Sequence, residues 1–207
     1  MPKKEVPLDH LQKFLPEGTA PVVMDYLTQY KVHLTITRER KSILGDYRHR
    51  TYAANHRISV NGNLNPYSFL VTLLHEMAHL LTFEQFGNRV LAHGREWKSV
   101  YAGLLEAFLR RHRLPADIEY ELKKSLKNPA ASSCAEEGLI RVLRKYDQRN
   151  SDHRLVEEIP LGRSFKTPDG RVFIRGEKLR KRFKCREAVS GREYLFSPVY
   201  EVLSCAF

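Results

Sequence analysis

Between Phe69 and Phe83 the chain is almost wholly apolar, yet His75, Glu76 and His79 sit in the middle of the run. A stretch of this length and composition reads as a helix buried on most sides. Three ionisable side chains inside such a helix are costly unless something compensates them. Their pattern, His75-Glu76-Met77-Ala78-His79, names the compensation: it is H-E-x-x-H. Histidines four apart on a helix share one face, about one turn from each other, so both imidazoles reach a single ion. Glu76, beside the first of them, stands where it can take a proton from a metal-bound water. A buried histidine pair bonded to backbone is the plainer reading, but the helical context the motif requires is present. Asn65-Pro66 supplies a start, with Asn as N-cap and Pro at the first helical position. Gly87-Asn88 supplies the stop.

A catalytic zinc usually takes three protein ligands and leaves the fourth position to water. The metzincin extension would need Gly at 82 and His at 85, where this chain has Thr82 and Gln85, so that class is excluded. Glu96 or Glu106 on the next helix could serve as a carboxylate ligand. His93 is the better candidate, in Ala92-His93-Gly94-Arg95-Glu96-Trp97-Lys98. It follows a turn segment and precedes an amphipathic helix from Glu96 to about Arg111, with Trp97, Tyr101, Leu104, Leu105 and Phe108 on its apolar side. A histidine at that entrance could swing back to the first helix while Gly94 lets the backbone turn.

Leu73 to His79 followed by His93-Gly94-Arg95-Glu96-Trp97-Lys98 resembles the core of the SprT-like metallopeptidases. The family pattern is H-E-x-x-H and, about fourteen residues on, a third His in an H-G-x-x-[WF] setting. The resemblance covers Ala20 to about Leu114. It implies a zincin-like protease domain with one Zn²⁺ held by His75, His79 and His93, and Glu76 as catalytic acid and base. Spartan-type members cleave proteins crosslinked to DNA, which implies a protein substrate associated with DNA. Many relatives also carry a C-terminal zinc ribbon with paired cysteines. Here Cys134, Cys185 and Cys205 are scattered without a C-x-x-C, so no ribbon can be built.

Charge bears on the partner. Thirty-five Lys and Arg against twenty-four Asp and Glu give +11, the footprint expected of a polyanion partner such as DNA bound without sequence preference. Basic residues gather from Arg38 to Arg57, interleaved with Tyr47 and Tyr52, and again from Lys178 to Arg186, which reads K-L-R-K-R-F-K-C-R. Strand alternation in the second group would put Arg180, Arg182, Lys184 and Arg186 on one face, the candidate nucleic-acid site. No apolar stretch reaches membrane-spanning length, and the first residues lack a secretory h-region. Scattered cysteines without such a signal predict free thiols in a cytoplasmic protein.

The expected fold class is α+β. A metallopeptidase domain of helices and a small antiparallel sheet occupies residues 1–130, and a helical connector and linker occupies 131–154. A small SH3-like or OB-like β-barrel fills 155–207, where short alternating runs are punctuated by Pro168-Asp169-Gly170, Gly176-Glu177 and Ser190-Gly191. Arg57 to Asn61, just before the motif helix, is the expected edge strand for a substrate. Two other functional classes stay open: a nucleic-acid-binding protein with a structural or degenerate zinc site, and a cytoplasmic peptidase without a DNA partner. A purely structural site, however, has no use for Glu76 beside its ligands.

Overall fold

The computed structural model describes residues 8–40, 42–50, 55–127, 129–148 and 153–204. Cys205, Lys41 and Tyr52 therefore lie outside the described residues. The chain divides into two compact units, Met1–Asp147 and Gln148–Phe207.

The first unit is built on one long helix. A 3-10 turn over Leu8–Phe14 leads into α1 (Ala20–Gln29), then β1 (His33–Thr37), β2 (Gly45–Arg48) and β3 (Arg57–Asn61). There follow α2 (Pro66–Phe86), α3 (Arg95–Arg111), α4 (Ala116–Ser125) and α5 (Glu137–Leu143). α2 has the bounds its flanks predict. The Asn65 side chain accepts hydrogen bonds from the N–H groups of Tyr67 and Ser68, Pro66 needs no partner at the first position, and Gly87 closes the helix at φ +62°. Every residue from Ser68 to Ala78 is buried. That is possible because α2 packs against β2 and β3 on one side and α3 on another. Trp97, Tyr101, Leu104, Leu105 and Phe108 are the buried face of α3, as its 3.6-residue period requires.

Two sheet expectations are corrected. The three-stranded sheet has the order β1-β3-β2 and is mixed rather than antiparallel, since β1 runs parallel to β3 while β2 opposes it. β3 is therefore the central strand, hydrogen-bonded on both edges, and cannot be the substrate edge. The pattern explains its place: Ile58 and Val60 are buried and the Asn61 side chain is tied to backbone, so this strand lies nearest the core. Among the described residues β1 and β2 hold the two edges.

The expected connector over 131–154 is divided between the units. Leu139 and Leu143 of α5 belong to the first core, and the Nδ2 of Asn65 donates to the Leu143 carbonyl at 3.0 Å. The second unit starts with β4 (His153–Leu155), followed by β5 (Ser164–Lys166), β6 (Val172–Leu179), β7 (Arg182–Glu187), β8 (Glu193–Phe196) and β9 (Glu201–Ser204). They form one curled antiparallel sheet in the order β4-β9-β5-β6-β7-β8 around Val156, Ile159, Phe165, Phe173, Phe183, Cys185 and Val202. Among the described residues no pairing joins β4 to β8 into a closed barrel. No described helix is long and apolar enough to cross a membrane.

Candidate metal centre

α2 presents His75 and His79 one turn apart, and the loop before α3 brings in His93. One ring nitrogen from each lies within 4.8 Å of the others, and the Nε2 atoms of His75 and His93 are 3.3 Å apart. The ring centroids form a triangle of 5.0, 5.3 and 4.6 Å. Trp97 is the floor beneath it: fully buried, its ring lies 4.7 Å from His75, 5.2 Å from His79 and 4.8 Å from His93. Tyr101, one turn on, stacks against Trp97 at 5.1 Å and supports it from behind. The entrance glycine does not work as expected. Gly94 has φ −70°, open to any residue, and its tightness lies in a Cβ that would come within 3.2 Å of Leu91. Neither carboxylate alternative joins the cluster; Glu106 is exposed and paired with Arg110 at 2.7 Å.

The donor set fits a metal ion. Burial, then the two neighbouring imidazoles, pushes His75 down to about 3, and burial with His93 pushes His79 down to about 4. His93 is lowered too, by burial and by Lys98. Three imidazoles kept neutral on converging lines offer lone pairs, not protons, and imidazole suits zinc, copper, iron or nickel.

Glu76 points beside the histidines rather than among them. Its carboxyl is raised to about 8, by burial first and then by Asp46, while Arg40 and a hydrogen bond from the Tyr47 N–H act against the rise. β2 is what brings Asp46 and the Tyr47 N–H there, and Gly45 is what lets β2 approach. A Cβ at Gly45 would fall 2.6 Å from Glu76 Oε1 and 2.7 Å from Thr72 Cγ2. Arg40 is itself fixed, donating to Asn61 Oδ1 at 2.8 Å and Ser59 Oγ at 3.0 Å.

A polar chain that sequence reasoning did not find runs behind the site. Tyr47 lies parallel to His79, with centroids 6.4 Å apart, and its hydroxyl is 2.9 Å from His56 Nδ1. His56 Nε2 is 3.2 Å from Glu84 Oε1, which Arg50 also pairs at 3.2 Å. Burial raises the Tyr47 phenol well above its ordinary value, so it stays protonated. No local signal marks these residues, because only the pairing of β2 with β3 brings them together. Tyr47, His75, Glu76, His79 and His93 open onto a cleft of about 600 Å³ whose apolar rim includes Ile43, Phe83 and Leu91.

The four expected nucleic-acid residues lie in the second unit and do not form one stripe. Arg182, Lys184 and Arg186 alternate with buried Phe183 and Cys185 on β7. Arg180 instead occupies the two-residue turn between β6 and β7 at φ +48°, and Lys184 is paired with Glu193 at 2.8 Å. In the first cluster, Arg48 and Arg50 are likewise spent on Asp46 and Glu84.

The fold and the three-histidine centre define an α+β domain whose long helix carries a candidate metal site open to a cleft. The model of the SprT-like family matches residues 21–124, the stretch that holds this whole centre, and the chain belongs to that family. Among curated proteins it is similar to Protein SprT of Pseudomonas fluorescens, 33% identical over 98 residues that cover 41% of this chain and 56% of that one. Protein SprT of Pseudomonas putida is 46% identical over 35 residues, 17% of this chain and 21% of that one. The chain thus spans little more than half, or less, of the curated relatives it matches. No solved structure matches it.

Proposed function

We propose that the protein is a zinc-dependent endopeptidase acting on proteins associated with DNA. The observation that carries the reading is Glu76. It is a buried carboxyl raised to about 8, set beside three converging imidazoles yet not one of them. A structural site needs ligands only, and this extra carboxyl would cost stability there without return. His75, His79 and His93 would hold the ion. Zinc at such a site acts as a Lewis acid that acidifies water and polarises a peptide carbonyl.

The remaining steps fall to the chain. Glu76 accepts the proton of the attacking water on its carboxylate and later delivers it to the leaving amine. The Tyr47 N–H keeps that carboxylate aimed along the edge of β2. Substrate lies extended along the same edge, because among the described residues β2 pairs only with β3, and Gly45, Asp46 and Tyr47 of β2 line the cleft. Association with DNA is supported by the +11 net charge.

The test is a cleavage assay on a basic DNA-binding protein, with and without duplex DNA. Glu76→Gln is expected to retain stoichiometric zinc and lose about 10²–10⁴-fold in turnover, the loss of a general base. His79→Ala is expected to lose the metal as well. Wild-type turnover by Glu76→Gln would overturn the assignment.

A further inference from the structure

The β6–β7 hairpin ends in five consecutive residues, Lys178-Leu179-Arg180-Lys181-Arg182, all exposed. The register closes at Leu179 and Arg182, so Arg180 and Lys181 form the apex and Lys178 and Arg182 flank it. Four cations thus project from one tight turn. Among the described residues none of the four has an ion-pair partner, although Glu177 is adjacent in sequence. Elsewhere in the same unit Lys184 is paired with Glu193 at 2.8 Å and Arg171 with Asp169 at 2.8 Å. The apex carries a second oddity. Arg180 adopts φ +48°, a conformation that glycine or asparagine reaches with less strain. A local rule broken in favour of charge, within a cluster of four cations that lack ion-pair partners, is expected of a functional surface.

We infer that this hairpin tip is a docking surface for the phosphodiester backbone of a nucleic acid. Like charges held this close repel one another, and a run of phosphates relieves that repulsion while releasing its own counterions. Two of the four are arginines, whose planar forks match phosphate oxygens with two hydrogen bonds each. An anionic membrane would also attract the charge, but the tip offers Leu179 as its single apolar side chain and no aromatic to bury in the interface. The contact carries no base readout, so binding is indifferent to sequence. The inference shares with the proposed function the premise of a nucleic-acid partner, but needs neither metal nor catalysis.

The experiment measures binding of the full chain, in its Glu76→Gln form, to a mixed-sequence DNA duplex by fluorescence anisotropy across a salt series. One variant carries Lys178→Gln, Arg180→Gln, Lys181→Gln and Arg182→Gln. A control of equal charge loss carries Arg110→Gln, Arg111→Gln, Lys123→Gln and Lys124→Gln in the first unit. If each tip cation meets one phosphate, the tip variant's plot of log K against log salt is shallower by about 3.6. Between 50 and 200 mM salt the wild type then loses about 100-fold more affinity than the tip variant. The control keeps the wild-type slope. Equal slopes for tip variant and wild type, or equal losses in tip variant and control, overturn the inference. So does a tip variant that releases vesicles containing phosphatidylserine but still holds duplex normally. Because the variant could misfold, lysine acetylation of the unmodified chain supplies a second measurement: duplex should shield Lys178 and Lys181, and undiminished acetylation of both overturns the assignment. The Glu76→Gln form binds without cutting, so failure here leaves the peptidase reading untouched, and the reverse holds.

Discussion

His56 shows how a single side chain can be tuned by what packs around it. Its ring is almost fully buried, between the Tyr47 hydroxyl on one nitrogen and Glu84 on the other. Burial lowers its pKa; Glu84 pulls the other way, and Arg50 and His49 add to the lowering. The neutral form is therefore the one the fold prefers. Above the unfolded value of about 6.5 the ring is neutral in both states and its contribution is complete. As pH falls below that value the unfolded chain takes up the proton first, and stability is lost until the folded pKa is passed. The expected result is a stability that drops between pH 7 and pH 5.5 more steeply in the wild type than in His56→Gln, measured by urea unfolding at each pH. A parallel drop in both proteins would show that the ring carries no such linkage. At this scale the sequence is legible only where a motif fixes the spacing. His75, Glu76 and His79 are read directly from a helical period, and His93 from an unfilled third position nearby. Gly45, Tyr47, His56 and Glu84 belong to the same neighbourhood, yet their proximity exists only once β2 lies across α2, and nothing local announces that.

Among the elements, α2 depends most on one residue outside it. Asn65 caps the helix with its side-chain oxygen, while its Nδ2 reaches the Ser68 hydroxyl, the Leu143 carbonyl and the Asp147 carboxylate. One side chain thus satisfies orphan N–H groups of α2 and a carbonyl at the end of α5. Asn65→Ala is expected to cost about 2 kcal/mol, the upper end for loss of a cap, because a buried carbonyl is stranded at the same time. Chemical denaturation measures it, and a cost below about 0.5 kcal/mol would mean that water replaces every partner. The bounds of α2 were legible because Asn65-Pro66 and Gly87 are punctuation that acts locally. Strand positions were not. Arg57 to Asn61 reads as a strand from its alternation, but alternation reports which face is buried and not whether an edge is free. β4 and β9 carry no such local pattern: three and four residues long, they are held by pairing His153 with Leu203 and Leu155 with Glu201, some fifty residues apart.

For the whole molecule, the two separate apolar cores raise the question of whether metal binding is felt throughout. Trp97 is the sole tryptophan and is buried in the first core, its ring within 5.2 Å of all three histidine rings. Its fluorescence therefore reports both the occupancy of the centre and the melting of the first unit, and it is blind to the second. An ion that binds the folded centre alone stabilises that unit by about 2.7 kcal/mol when present at a hundred times its dissociation constant. The second core, around Phe165, Phe173 and Phe183, contains no member of the histidine cluster and gains nothing directly. Zinc should accordingly quench or shift Trp97 emission at one equivalent and raise the melting temperature seen by fluorescence. A chelator should reverse both, and His79→Ala should abolish both. Amide exchange measured across residues 153–204 should be unchanged by the same additions. If zinc slowed exchange in Phe165 and Phe173 as much as in Leu73 and Leu105, the two cores would have to unfold as one cooperative body, because only then can an ion bound to one unit protect the other.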